Sequence, residues 1–242
     1  MKLLQSKLLQ SHQKMLLHAF SDESCGNLAF HVNDNKERVF ANHKNLASLL
    51  GYNLDSLVHM QQIHSNIVHT IDEDDNFKNP PICDALITNK KKTPLMVMVA
   101  DCSPILFYDP NKDVIAVAHA GRAGAFKNIV QSVINSFVDN YKSNVKDILV
   151  AIGPNIAECC YEVGSEIYKE AQELGLEYAI KFHKQKFYLN ISKIIYKQLL
   201  DAGLHEGNIE ISNQCTKCLY PKYYSYRANK NTGRFAGVIS LI

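Results

Sequence analysis

The sequence predicts an α/β fold in which a mixed β-sheet is flanked by helices within a single compact domain. Three short apolar segments, at residues 95–100, 104–108 and 114–118, are separated by turn residues, as is typical of strands buried on both faces. Residues 124–141 carry apolar side chains at helical spacing. Strands and helices follow one another without strict alternation, which favours a mixed sheet over a purely parallel one.

Composition and charge disfavour several classes of protein. A chain of 242 residues is long enough to bury a core without disulfides, and a net charge of +2 is too small to indicate a nucleic-acid partner. The first residues lack the continuous apolar core of a signal peptide, and no run of about 18 apolar residues indicates a membrane span. Seven scattered cysteines favour reduced thiols. We therefore expect a cytoplasmic protein without nucleic-acid or membrane partners, and no feature specifies an oligomeric state.

The first half of the chain is expected to begin with an N-terminal arm at residues 1–14, with the domain occupying residues 15–242. Apolar patterning predicts strands at residues 15–20, 27–32, 57–63, 67–71 and 83–88. A helix is predicted at residues 36–50, because Asn33, Asp34 and Asn35 offer N-terminal caps and Gly51 a C-terminal cap. The polar, proline-ended segment 72–81 is expected to be a surface loop.

The second half of the chain is predicted to contain both helices and strands. Helices are predicted at residues 124–141, 165–174 and 191–202. Strands are predicted at residues 148–152, 187–189, 208–212 and 235–242. Gly153-Pro154 ends the first of these strands, and Gly203 ends the last of these helices.

His64, Cys102 and His119 each end an apolar, strand-like segment, where a scaffold presents side chains to a cleft. Two imidazoles and a thiolate suit Zn²⁺ and leave a fourth coordination position open. Their separations along the chain are long and carry no local metal-binding signature. The residues alone therefore leave three interpretations open: a zinc site, a Cys–His hydrolase pair, or three separately packed side chains.

The other cysteines give a weaker signal. Cys215 and Cys218 form one Cys-x-x-Cys, but a structural zinc site needs two more ligands and no second such pair occurs. A redox pair is the alternative, although the motif does not open a helix after a strand. Cys159 and Cys160 are adjacent, which makes a disulfide between them geometrically awkward. The pattern favours ordinary thiols at Cys215 and Cys218.

Three arginines lie in glycine- or aromatic-rich turns: Arg122, Arg227 and Arg234. A guanidinium group binds phosphate or carboxylate through two parallel hydrogen bonds, although a surface arginine is the simpler interpretation of each. Neither a P-loop nor a Gly-x-Gly-x-x-Gly occurs, so the usual nucleotide-binding loops are absent from the sequence.

Nine short stretches together resemble the laccase-domain or polyphenol oxidase family, also called peptidoglycan editing factor and now described as a purine nucleoside phosphorylase family. In chain order they are residues 27–34, 62–65, 84–89, 100–104, 119–121, 152–156, 160–164, 224–227 and 232–234. The resemblance implies a cysteine-hydrolase-like α/β fold, with residues 15–242 as a laccase-domain-type catalytic domain. It also implies that His64, Cys102 and His119 bind zinc and are the catalytic residues.

The activity that the resemblance implies is phosphorolysis of adenosine, inosine and methylthioadenosine to free base and sugar 1-phosphate, with adenosine deamination alongside. By position, the residues implied to contact substrate or phosphate are Asn27, Asn42, Arg122, Arg227 and Arg234. The sequence departs from the family pattern at three places. Arg122-Ala123 replaces an aromatic–basic pair, His43 replaces the arginine after Asn42, and Asn190 replaces an aspartate. The first two departures concern how phosphate is held.

Three competing functions follow from the same residues. A metal-free cysteine hydrolase would use Cys102 as nucleophile and His119 as base on amide or peptide substrates of the cell wall. A multicopper oxidase is disfavoured, and copper with it, because the ten histidines contain no His-x-His pair. A non-enzymatic scaffold is disfavoured because the His64, Cys102 and His119 set is intact.

Overall fold

The structure is a computed structural model that describes residues 3–242, within which there are twelve β-strands and six α-helices. The strands are β1 (Leu16–Phe20), β2 (Val68–Thr70), β3 (Ala85–Thr88), β4 (Leu95–Val99), β5 (Ser103–Asp109), β6 (Val114–Ala120), β7 (Leu149–Ile152), β8 (Glu162–Val163), β9 (Ile180–His183), β10 (Lys186–Leu189), β11 (Ile209–Ile211) and β12 (Phe235–Leu241). The helices are α1 (Lys7–Gln10), α2 (Lys36–Leu50), α3 (Arg122–Phe126), α4 (Ile129–Tyr141), α5 (Ser165–Glu173) and α6 (Ile191–Asp201).

The largest sheet has six strands in the order β11-β7-β5-β6-β3-β2. Its outer pairs, β11–β7 and β3–β2, are parallel, and its inner pairs are antiparallel, so the predicted mixed sheet is confirmed. Helices α4 and α6 pack on one face and a second sheet, β1-β12-β4, on the other. A third sheet, β8-β10-β9, shares no strand with the other two. The strands therefore form three sheets rather than the single sheet expected.

The hairpin β5–β6 is buried along its whole length because layers pack on both of its faces. Ile105 and Phe107 belong to the core that includes Val133 of α4, whereas Leu106 and Tyr108 belong to the core shared with β4 and β12. Successive side chains of a strand point to opposite faces of the sheet. A strand covered on both sides is therefore apolar at nearly every position, which explains the continuous apolar runs of this region.

Helix α2 begins and ends where its capping residues predict. The side-chain oxygen of Asn35 accepts a hydrogen bond of 2.8 Å from the backbone N–H of Arg38. Gly51 adopts a left-handed conformation with φ of 78°, and its N–H donates to the carbonyl of Ala47. Both ends therefore satisfy backbone groups that a helix cannot pair internally.

The helix predicted at residues 124–141 is wrong in one respect, because it is two helices, α3 and α4. Asn128 interrupts it with a left-handed φ of 55°. Its side chain then accepts a 3.1 Å hydrogen bond from the N–H of Gln131 and starts α4 as an N-terminal cap. Asparagine tolerates this conformation better than most residues, so a polar residue inside an apolar helical pattern ended one helix and began another.

Two predicted strands are wrong. Residues 27–32 form no ladder, because the Asn27 side chain accepts a 3.0 Å hydrogen bond from the N–H of Ala29 and closes a local turn. Residues 57–63 make only isolated bridges, Val58 to Leu95 and Gln61 to Ile82. The sequence analysis does not predict strand β9. This strand pairs with β10 through a turn at Lys184 and Gln185. Both turn residues have positive φ, a conformation in which glycine is usual.

The first residues pack against the sheets. Leu4 forms an isolated bridge to Phe20, Leu9 is fully buried, and the hydroxyl of Ser6 donates to Glu210 at 2.7 Å. Met1 and Lys2, which belong to the predicted arm, lie outside the described residues. The boundary between arm and domain after residue 14 stays a prediction. Within residues 3–242, no helix combines the length and apolar character needed to span a bilayer.

Candidate active site

A large cleft opens at the end of the hairpin where β5 begins and β6 ends, and its volume is about 1030 Å³. Apolar side chains, among them Phe30, Met60 and Phe77, line part of its wall. Six of the eight predicted site residues also line it: His64, Cys102, His119, Arg122, Arg227 and Arg234. The cleft is therefore the place where these residues, distant in sequence, meet.

The antiparallel pairing of β5 with β6 brings Cys102 and His119 to one end of the sheet. Ser103 pairs with Ala120 and Pro104 with His119, so Cys102 precedes β5 at the point where β6 finishes. His64 arrives from the loop before β2, and its ring lies 4.8 Å from that of His119 at an angle of 79°. One ring nitrogen of each histidine and Sγ of Cys102 lie within 4.8 Å of one another. We call these three residues the triad.

Asp84 lies behind the triad and is fully buried. Its carboxylate accepts hydrogen bonds from Nδ1 of His119 at 2.8 Å, from the N–H of His64 at 3.0 Å, and from the N–H and hydroxyl of Ser65 at 2.6 and 2.7 Å. Burial alone would raise the pKa of Asp84, but the hydrogen bonds from His119 and Ser65 outweigh it and hold the pKa well below its usual range. Asp84 is therefore a fixed negative charge that orients two members of the triad.

Cys102 and His119 change each other's ionisation. Burial opposes charge on both, yet the nearby His119 and His64 lower the pKa of Cys102 to about 6. In turn, the Cys102 thiolate and the carboxylate of Asp84 outweigh burial and raise the pKa of His119. Without a metal, the favoured state at neutral pH is a thiolate beside an imidazolium.

Two residues of the site have left-handed backbones, His64 with φ of 59° and Asp101 with φ of 86°. Such conformations cost energy in residues other than glycine and persist when surrounding contacts fix them. Asp84 holds the N–H of His64, while the carboxylate of Asp101 accepts hydrogen bonds from the Thr216 hydroxyl and the Arg227 N–H, each at 2.6 Å. These contacts stabilise the backbone on either side of the triad.

Gly121 permits the close packing of the triad. A Cβ atom at this position would lie 2.8 Å from Sγ of Cys102 and 3.4 Å from Cδ2 of His64. Any larger residue would therefore displace the sulfur. The requirement here is close approach rather than an unusual φ.

The three arginines of the cleft differ in how many of their donors are already engaged. Nη1 of Arg234 donates to the carbonyls of Thr232 and Gly233 at 3.0 Å each, and the other N–H groups of its guanidinium make no hydrogen bond within residues 3–242. Nη1 of Arg227 donates to the carbonyl of Glu162 at 2.7 Å. Nη1 of Arg122 lies 2.5 Å from Oε2 of Glu170 in an ion pair. Among the described residues, Arg227 and Arg234 therefore line the cleft without a carboxylate partner for their guanidinium groups, whereas Arg122 is paired with Glu170.

Asn27 and Asn42 do not line the cleft. The side-chain oxygen of Asn27 accepts a 2.9 Å hydrogen bond from the N–H of Arg234, and the amide of Asn42 donates to the carbonyl of Asn27 at 2.8 Å. Asn27 therefore supports the backbone of Arg234, and Asn42 supports Asn27. Their direct contact with substrate stays a prediction.

The donor set of the triad fits a bound metal. Nδ1 of His119 is engaged by Asp84, which leaves Nε2 of the same ring available as a ligand. A thiolate and two imidazoles are donors that zinc accepts, and they leave one coordination position open. A buried carboxylate behind a ligating histidine is the usual outer partner of such sites.

Sequence reasoning missed two groups that the structure places beside the triad. Asp84 is a charged residue directly before the fully buried strand β3, and a carboxylate at that place in the sequence is the signal that could have identified it. The ring of Tyr161 lines the cleft and lies 4.9 Å from the guanidinium of Arg227. Only the folded chain brings Tyr161 and Arg227 together.

Comparison with known proteins agrees with this architecture. The sequence profile of the family described as "Multi-copper polyphenol oxidoreductase laccase" matches residues 19–242. The chain is 30% identical over 226 residues to purine nucleoside phosphorylase YlmD of Bacillus subtilis, covering 89% of this chain and 81% of that protein. It is 34% identical over 209 residues to a purine nucleoside phosphorylase of Clostridium acetobutylicum, covering 86% and 85%.

Solved structures show the same fold. The crystal structure of the hypothetical protein YfiH of Bacillus licheniformis superposes with a TM-score of 0.89 at 27% identity, covering 94% of this chain and 93% of that one. YlmD of Geobacillus stearothermophilus superposes with a TM-score of 0.87 at 25% identity, covering 93% and 92%. The matched profile spans nearly the whole chain, and we conclude that this protein belongs to the polyphenol oxidoreductase laccase family.

Proposed function

We propose that the chain is a zinc-dependent purine nucleoside phosphorylase that converts adenosine, inosine and methylthioadenosine to base and sugar 1-phosphate, with adenosine deaminase activity. Residues 15–242 would form its catalytic domain, and the free cysteines suit a reducing cytoplasm. The names of the relatives from Bacillus subtilis and Clostridium acetobutylicum support the reaction class. The observation that best supports the proposal is the triad, whose ligand atoms lie within 4.8 Å of one another in a cleft that is also lined by Arg227 and Arg234.

Phosphorolysis requires a bound phosphate beside the sugar. A phosphate oxygen attacks C1′ of the ribose, the bond from C1′ to the purine nitrogen breaks, and the base leaves with the electron pair and takes up a proton. Arg234 would hold the phosphate with its unengaged N–H groups, and Arg227 lines the same cleft. Fixing an anion next to the sugar supplies both proximity and charge stabilisation.

The triad would hold the metal, with Cys102 as thiolate and with both histidines neutral. A bound zinc ion would supply positive charge and a water of lowered pKa, the chemistry that hydrolytic removal of the purine 6-amino group needs. Asp84 keeps the proton of His119 on Nδ1 and so fixes which nitrogen faces the cleft. Apolar walls that include Phe30 and Phe77 would exclude water from the base and stack against it.

The test is incubation of the purified protein with inosine and with adenosine, in the presence and absence of phosphate, followed by chromatography. We expect phosphate-dependent release of hypoxanthine and adenine, and phosphate-independent conversion of adenosine to inosine. The Cys102→Ser variant should lose both activities and its tightly bound metal at this site. Normal turnover by that variant, or the absence of any product with the wild type, would refute the proposal.

A metal-free cysteine hydrolase is the second candidate, because one specific observation favours it. The Cys102 thiolate, His119 and Asp84 form a chain of interactions in the order nucleophile, base and orienting carboxylate. Full activity on cell-wall amides or peptides in the presence of a chelator, with covalent trapping at Cys102, would establish this function. Loss of all activity on chelation would favour the phosphorylase.

A further inference from the structure

Four cysteines meet outside the triad, although they come from two distant parts of the chain. All four Sγ atoms lie within 4.8 Å of one another. We call this group the tetrathiol cluster, and its members are Cys159, Cys160, Cys215 and Cys218. The sequence pattern favoured ordinary thiols at Cys215 and Cys218 because a second Cys-x-x-Cys was missing. The fold instead supplies the second pair as two adjacent cysteines.

The backbone explains how the two pairs come together. Asn155 and Cys215 form an isolated parallel bridge, in which Asn155 N–H donates to the carbonyl of Gln214 at 3.2 Å and Thr216 N–H donates to the carbonyl of Asn155 at 3.1 Å. The chain after Asn155 then turns and carries Cys159 to the turn that follows Cys215. Main-chain pairing, and not side-chain contact alone, therefore sets the position of the cluster.

The distances fit a tetrahedron of sulfur ligands. Sγ of Cys218 lies 3.5 Å from that of Cys159 and 3.3 Å from that of Cys160, and Cys159 and Cys160 are 3.7 Å apart. With Zn–S bonds of about 2.3 Å, neighbouring sulfurs of a tetrahedral site are separated by about 3.8 Å. One disulfide would need only two of these sulfurs close together, whereas all four converge here.

One backbone group stabilises negative charge at a sulfur of the cluster. The N–H of Ala157 donates to Sγ of Cys215 at 3.4 Å, a contact that stabilises a thiolate. Four thiolates around one divalent cation leave a net charge of −2, and Lys217 places one cation inside the Cys-x-x-Cys turn.

We propose that the tetrathiol cluster binds one structural Zn²⁺, with all four cysteines as thiolates and with the release of four thiol protons. The site is closed, because four protein sulfurs complete a tetrahedral shell and leave no position for substrate. Its role is to join the loop at residues 157–161 to the turn at residues 215–219. Thr216 in that turn donates to Asp101, and Tyr161 in that loop lines the cleft, so the metal would stabilise one wall of the candidate active site.

The first experiment counts zinc per chain by mass spectrometry of protein purified with reductant. The Cys215→Ser/Cys218→Ser variant should lose one zinc per chain relative to the wild type. The matched control Cys25→Ser removes a thiol that belongs neither to the triad nor to the tetrathiol cluster, and it should lose no zinc. An unchanged zinc count in the double variant would overturn the proposal. This difference is independent of whether the triad holds zinc, so the two metal sites are tested separately.

A second measurement does not require alteration of the tetrathiol cluster. X-ray absorption at the zinc edge of the Cys102→Ser variant, in which the triad is disabled, should show four sulfur neighbours at about 2.3 Å. Cobalt in place of zinc should give the intense visible bands of a tetrahedral thiolate site. The proposal would be overturned in favour of a disulfide if the Cys102→Ser variant contained no zinc and if its mass without reductant were two hydrogens below that of the reduced protein.

Discussion

Nδ1 of His119 lies 2.8 Å from Oδ1 of Asp84, and this carboxylate is fully buried behind the triad. The contact fixes the tautomer and orientation of one histidine, while the same carboxylate holds the backbone of His64. One side chain thus positions two proposed metal ligands that are far apart in sequence.

Asp84→Asn should weaken metal binding at the triad by roughly 10- to 100-fold, the usual effect of removing the outer partner of a ligating histidine. An amide retains the shape of the side chain but lacks the charge and one acceptor for His119 and Ser65. Competition with a coloured chelator measures the affinity. Asp109→Asn is the matched control, since Asp109 is also fully buried but accepts from Asn111 and Lys112 in a distant turn. Equal affinities in the two variants would contradict this role of Asp84.

Gly121→Ala should lower kcat/KM by roughly 10- to 100-fold, because the new Cβ would lie 2.8 Å from Sγ of Cys102 and would displace it. Metal affinity should fall in parallel, whereas the fold, judged by circular dichroism, should persist. Gly207→Ala is the control, since no atom lies within 4 Å of a Cβ at that position. Wild-type kinetics in Gly121→Ala would show that the sulfur can move without consequence.

Alkylation of Cys102 in chelator-treated protein should reach half of its maximal rate near pH 6, because the pKa of this thiol is lowered to about 6. An unperturbed cysteine has a pKa of about 8.5. The sign follows from the reactive species: the thiolate attacks iodoacetamide, and it disappears as the pH falls through its pKa. Peptide mass spectrometry separates Cys102 from the other cysteines. A midpoint near pH 8.5 would mean that His119 and His64 do not stabilise the thiolate.

Arg234→Lys should raise the KM for phosphate by about 10-fold and change the KM for nucleoside much less. Lysine keeps the charge but loses the paired N–H groups that match phosphate oxygens. Arg122→Lys is the matched control, since the guanidinium of Arg122 is already paired with Glu170, and its KM for phosphate should stay within about 3-fold of wild type. The reverse ranking, read from initial rates at varied phosphate, would assign the anion site to Arg122.

Much of the secondary structure could be predicted from the sequence, because strands and helices depend on neighbouring residues. The apolar runs that become β4, β5 and β6 are bounded by turns, and Asn35 and Gly51 mark both ends of α2. Prediction from neighbouring residues failed where an asparagine side chain, rather than another backbone group, accepted a backbone hydrogen bond. Asn27 closed a turn within a predicted strand, and Asn128 divided a predicted helix.

The sequence by itself determined which ligand types His64, Cys102 and His119 offer, and that Cys102 and His119 stand at the ends of buried strands. Only the tertiary structure decided that these atoms converge, because the pairing of β5 with β6 and the loop held by Asp84 act over long sequence distances. The tetrathiol cluster depends on the same cause. The separation between its two halves along the chain matches no metal-binding motif, and the bridge between Asn155 and Cys215 brings them together only in the folded chain.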